Sequence, residues 1–173
     1  MNIRKAEAQE LPAIRDFYNA LIDMMHEDGY QTAWEKDVYP SPDALRAFLE
    51  SGSLFVGERD GKIIASMVLN STGNESYQSV HWQVKIPPED ALVIHLLGVS
   101  LRCKGQGLGR EMLRFAADRA KAHGKCAIRL DVHVTNATAL KLYEKAGFEQ
   151  VDTVRMFYEG IGWHEFIMCE LAL

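Results

Sequence analysis

Residues 93–109 read V-I-H-L-L-G-V-S-L-R-C-K-G-Q-G-L-G. The apolar run 93–99 is of strand type. A polar turn follows, and Gly105, Gly107 and Gly109 then stand at alternate positions. Beyond them Leu108, Met112, Leu113, Ala116 and Ala120 recur at helical spacing, which predicts an amphipathic helix over about 107–123. Strand, glycine loop and helix start together suit an anion. The first-turn N–H groups have no partner, the helix dipole adds partial positive charge, and glycine lets a ligand approach the backbone. Lys104 and Arg110 bracket the loop with cationic charge. Two common phosphate loops do not fit. No Lys-Ser or Lys-Thr follows the glycines, and the spacing G-x-G-x-G is not G-x-G-x-x-G.

Working outward, residues 127–134 alternate Ile128, Leu130, Val132 and Val134 with Arg129, Asp131 and His133, the pattern of a strand. Asn136 caps a helix that runs through Ala146, and Gly147 stops it. Residues 148–158 and 165–171 read as two closing strands. Upstream, 2–5 is a short first strand and 10–25 a helix with Leu11, Ile14, Phe17, Tyr18, Leu21, Ile22 and Met25 on one stripe. Residues 29–42 are irregular, and Ser41 or Pro42 opens a second short helix. Asp60-Gly61 marks a hairpin between strands 53–58 and 62–70. Residues 77–84 alternate and read as a third hairpin strand. With no repeat and no linker, one α+β domain over 1–173 is expected.

Composition narrows the function classes. Apolar content of 47% with 25% charged residues is that of a soluble globular protein. A net charge of −5 argues against a nucleic-acid partner, but a local loop can still bind an anion. Cys103, Cys126 and Cys169 are scattered and odd in number, as expected of reduced thiols in a cytoplasm. The opening M-N-I-R-K-A-E-A-Q-E has no apolar leader core, and no apolar run is long enough for a membrane. His26, His81, His123 and His164 show no metal-ligand spacing, so no metal is expected.

The glycine loop resembles motif A of the GNAT acetyltransferase superfamily, [QR]-x-x-G-x-[GA]. Two registers fit: Arg102, Gly105, Gly107, or Lys104, Gly107, Gly109. The second is preferred because it puts the last glycine at the helix start, with Lys104 where the family has Gln or Arg. Residues 136–148, N-A-T-A-L-K-L-Y-E-K-A-G-F, resemble motif B, N-x-x-A-x-x-x-Y-x-x-x-G-F, at Asn136, Ala139, Tyr143, Gly147 and Phe148. Asn136, Ala139 and Tyr143 fall on successive turns of one helix face.

This resemblance implies a GNAT-like mixed, mostly antiparallel central sheet with splayed fourth and fifth strands and flanking helices. It implies acetyl-CoA as co-substrate. Backbone amides of Lys104, Gly105, Gln106, Gly107, Leu108, Gly109 and Arg110 would hold the pyrophosphate. Leu97, Gly98 and Val99 would pair with the pantetheine, and the face of Asn136, Ala139 and Tyr143 would look across at the glycine loop and complete the cofactor site. The implied chemistry is direct acetyl transfer to the primary amine of a small molecule or amino-acid-like acceptor, with Tyr143 as acid and His95 as base. His95 shares one strand face with Val93, Leu97 and Val99. The bland readings are a core tyrosine, a satisfied core histidine and a simple helix cap at Asn136. Asp131 is an alternative base and, with Trp34, Tyr39, Tyr77 and Trp82, a candidate acceptor contact. Protein or peptide N-acetylation and a non-catalytic acetyl-CoA-binding module are the alternative functions. A homodimer is the one protein partner entertained.

Overall fold

The computed structural model describes residues 1–30 and 32–173; Gln31, within the irregular 29–42 segment, lies outside the described residues. The chain runs β1 (Asn2–Lys5), α1 (Leu11–Glu27), α2 (Pro42–Glu50), β2 (Leu54–Arg59), β3 (Lys62–Asn70) and β4 (Ala91–Val99). It continues with α3 (Leu108–Ala122), β5 (Ala127–His133), α4 (Ala137–Lys145), β6 (Glu149–Tyr158) and β7 (Gly162–Ala172). All seven strands join one sheet in the order β1-β2-β3-β4-β5-β7-β6. Every pairing is antiparallel except β4 with β5. That parallel contact covers only Ala91–Val93 against Ala127–Arg129, and the two strands part beyond it.

Alternation along β2 shows how the sheet divides its two faces. Leu54 and Val56 enter the cluster built on Ile14, Tyr18 and Leu21 of α1 and Leu45 of α2. Phe55 enters the opposite cluster, with Met112, Leu113 and Ala116 of α3 and Tyr143 of α4. Each large side chain sealed in this way contributes roughly 1.5–3 kcal/mol. Local signals end the helices as their sequences suggest. Ser41 Oγ accepts from Ala44 N at 3.2 Å and Asn136 Oδ1 from Ala139 N at 3.1 Å. Gly124 and Gly147 follow α3 and α4 at positive φ. No described helix is long and apolar enough to cross a membrane.

Two expectations fail. First, β4 is not regular. Val68 pairs with His95 but Ser66 pairs with Gly98, so β4 carries one extra residue, and Leu96 has φ 52°. The bulge keeps Leu96 on the α1 face beside His95 and turns Leu97 and Val99 toward α3. His95 therefore does not share a face with Leu97 and Val99. Second, 77–84 is not a strand. A short 3-10 turn occupies Glu75–Ser79, opened by Asn74, whose Oδ1 accepts from Ser76 N at 3.0 Å. The N–H groups of Gln83 and Val84 go to the buried Glu170 carboxylate, both at 2.9 Å, rather than to a ladder. Glu170 also pairs with Arg129 at 2.9 Å, and the Arg129 guanidinium lies 4.5 Å from the Trp82 ring. The apolar alternation of this segment reflects a third cluster, in which Tyr77, Val80 and Trp82 cover Val93, Met156 and Met168.

Candidate active site

A cavity of about 700 Å³ opens where β4 and β5 part. Its mouth is the glycine loop. Gly105 and Gly107 have φ 80° and 76°, in the left-handed region that glycine alone adopts freely, and α3 starts directly after them. A Cβ at either position would meet nothing within 4 Å, so the space beside the backbone is open. Gly109 serves differently: a Cβ there would come 2.8 Å from Leu142, so this glycine lets α3 and α4 pack closely. Lys104, Leu108 and Arg110 also line the cavity. Gln106 does not, and its Oε1 accepts from Arg59 Nη1 at 2.7 Å. Leu97, Gly98 and Val99 form the β4 wall, opposite Asn136, Ala139 and Tyr143.

Three ionisable groups converge beyond that mouth. Tyr143 is buried with its ring 5.8 Å from Phe148, and its hydroxyl makes no hydrogen bond among the described residues. Every fully buried polar side-chain atom among the described residues has a partner, so this hydroxyl opens to the cavity. Burial, with the Asp131 charge adding, raises the phenol pKa well above its ordinary value. Asp131 Oδ1 accepts from Tyr77 Oη at 2.7 Å and from Tyr158 Oη at 3.0 Å. Burial pushes the Asp131 carboxyl up, against the two phenols and His95. His95 Nε2 lies 2.9 Å from Thr72 O and 3.1 Å from Asn70 Oδ1. A carbonyl oxygen only accepts, so Nε2 carries the proton and Nδ1 keeps its lone pair. Burial lowers the pKa of this imidazole, with the Asp131 charge opposing, which leaves it neutral near pH 7.

The far end of the cavity is aromatic. Trp34 and Tyr39 line it, together with Tyr158 of β6 and Phe166 of β7, which the sequence reading missed. No local motif marks those two; they reach the site because β7 inserts between β5 and β6. Tyr77 and Trp82 are not cavity walls. Tyr77 instead donates its hydroxyl to Asp131, and Trp82 packs on Arg129. His133 Nε2 lies 3.1 Å from His164 Nδ1, so it is committed away from His95. Cys103 lines the cavity without a histidine partner. No group of three or more metal-ligating side chains occurs among the described residues.

The family model of the acetyltransferase (GNAT) family matches residues 14–148. The mycothiol acetyltransferase of Thermomonospora curvata is 30% identical over 118 residues, covering 68% of this chain and 34% of that protein. The chain thus spans about a third of the length of that relative. The N-alpha-acetyltransferase RimI of Mycobacterium tuberculosis is 26% identical over 132 residues, covering 76% of this chain and 75% of that protein. Among solved structures, a GNAT-family acetyltransferase from Streptococcus agalactiae superposes with a TM-score of 0.80 at 19% identity, covering 99% and 95% of the two chains. YncA of Salmonella typhimurium, solved with acetyl-CoA, gives 0.71 at 21% identity, covering 100% and 94%.

Proposed function

The chain belongs to the GNAT acetyltransferase family, and on that premise we propose that it passes the acetyl group of acetyl-CoA directly to the primary amine of a small molecule, in the cytoplasm. One observation carries the reading: a phenol kept protonated, a neutral imidazole and a carboxylate meet in one cavity behind an open glycine loop.

Acetyl-CoA supplies the acetyl group activated as a thioester. The open space beside Gly105 and Gly107 and the lining cations Lys104 and Arg110 fit its pyrophosphate. β4 past Val93 has no strand partner on its β5 side, so Leu97 and Val99 can pair by backbone with the pantetheine. Their N–H groups also polarise the thioester carbonyl. His95 Nδ1 accepts the proton that the attacking amine must lose. Tyr143 donates a proton to the departing sulfur. Trp34, Tyr39 and Asp131 receive the acceptor.

A protein N-terminus is the second reading, favoured by the RimI relative that aligns over three quarters of both chains. A free-thiol assay with acetyl-CoA against small amines, amino acids and N-terminal peptides separates the two. CoA release with small amines supports the first, and release with peptides alone supports the second. Acetyl-CoA binding without any transfer points to a binding module.

A further inference from the structure

Charge is unevenly distributed over the cavity. Its lining cations, Lys104, Arg110, Lys141 and Lys145, all belong to the glycine loop, α3 or α4. No Lys or Arg of the described lining belongs to the 29–42 segment, β6 or β7, which carry Trp34, Tyr39, Tyr158 and Phe166. Asp131 is the single carboxylate of the described lining. Its Oδ1 is taken by Tyr77 and Tyr158. Its Oδ2 has no side-chain partner among the described residues, and since no fully buried side-chain oxygen goes unpaired, Oδ2 is available on a residue that lines the cavity. The surrounding rings are fixed by one another, Tyr39 5.2 Å from Tyr158 and Tyr158 5.3 Å from Phe166.

Such an end is selective by sign and by number. Ring faces and a free carboxylate oxygen attract one ammonium. A carboxylate on the acceptor would find no cation there and would face Asp131. A second ammonium would find no second carboxylate, and burying it unpaired is costly. A peptide would bring amide groups into a wall that offers them few partners.

We propose that the acceptor is a compact primary monoamine with an apolar body and no carboxylate, its ammonium held by Asp131 and its body packed against Trp34, Tyr39 and Tyr158. The proposal rests on the reading that this cavity takes an amine, and it narrows that reading to one class.

Two matched pairs test it. Phenethylamine and phenylalanine differ by the α-carboxylate, and pentylamine and cadaverine by the second ammonium. Each is assayed for kcat/KM by CoA release and, separately, for binding by calorimetry without acetyl-CoA. Phenethylamine should exceed phenylalanine by roughly 10²-fold or more, since opposing like charges cost several kcal/mol. Pentylamine should exceed cadaverine by at least about tenfold. Asp131→Asn keeps an acceptor for both phenols and should abolish the binding of both monoamines. Equal or better use of phenylalanine or cadaverine overturns the assignment while leaving acetyl transfer intact. The expected binding order, lost in Asp131→Asn but without turnover of any amine, upholds the assignment and overturns acetyl transfer.

Discussion

The Tyr18 hydroxyl, on α1, donates a 2.8 Å hydrogen bond to the carbonyl oxygen of Leu96, the residue at which β4 bulges. A leucine at φ 52° carries backbone strain of about 1–3 kcal/mol, which the surroundings must offset. Tyr18 is buried, and its hydroxyl gives that carbonyl a partner inside an apolar cluster. The bulge keeps His95 on the α1 face and turns Leu97 and Val99 to the other, so this contact from α1 sits where the two faces of β4 diverge.

Tyr18→Phe keeps the ring and leaves the Leu96 carbonyl unpaired. Stability should fall by about 1–2 kcal/mol in urea denaturation. The wall that presents Leu97 and Val99 then loosens, and kcat should drop by about tenfold, as a lost positioning interaction of that size implies. Unchanged stability would mean that the bulge is held by other contacts.

Gly107→Val tests the loop. No neighbour lies within 4 Å of the added Cβ, so packing is spared. The branched side chain nonetheless meets φ 76° and fills the space at the first turn of α3. If the loop holds the pyrophosphate as proposed, crowding its backbone should raise the acetyl-CoA Kd by about 10²-fold. Calorimetry on a variant with a wild-type circular dichroism spectrum reads it directly, and a wild-type Kd would remove this loop from the cofactor site.

How much of this was legible in the sequence depended on range. The loop at 104–110 and the helix from Asn136 are short-range patterns, set by glycine φ, a cap and helical spacing, and each was readable in a window of about a dozen residues. The Leu96 bulge was not, because 91–99 reads as a single apolar strand with only His95 inside it. It arises from the register against β3 and the hydroxyl of a residue 78 positions away. Residues 77–84 misled for a related reason. Their alternation records which side chains are buried, while the N–H groups of Tyr77, Val80 and Trp82 go to local turn carbonyls and those of Gln83 and Val84 to a carboxylate of β7. Tyr158 and Phe166 depended on a strand order that no local pattern encodes.

The pH dependence has two opposing parts. Burial holds His95 below its ordinary value of 6.5 in the folded protein, so between those two values the unfolded chain binds more protons. Its stability contribution is full above 6.5 and is lost as pH falls through the folded value. Asp131 is raised above 3.8, so its contribution is full below 3.8 and is lost as pH rises through the folded value. Asp131→Asn should therefore be at least as stable as wild type near neutral pH in thermal melts, while losing activity. With His95 as base, the acid limb of kcat/KM should lie below pH 6.5, and His95→Ala should flatten it. An unaltered profile would transfer the role to water or to Asp131.

In the proposed mechanism the Tyr143 hydroxyl, unpaired among the described residues and open to the cavity, protonates the departing thiolate. Tyr143→Phe retains the ring and its packing on Phe148 and removes only the proton. Turnover of wild type and variant is compared by CoA release with the best amine of the panel, beside the acetyl-CoA Kd from calorimetry. The expected result is a kcat lower by roughly 10²–10⁴-fold at a nearly unchanged Kd, the range for a lost general acid. A Tyr143→Phe protein with full kcat would contradict the claim and leave the tyrosine as a packing residue.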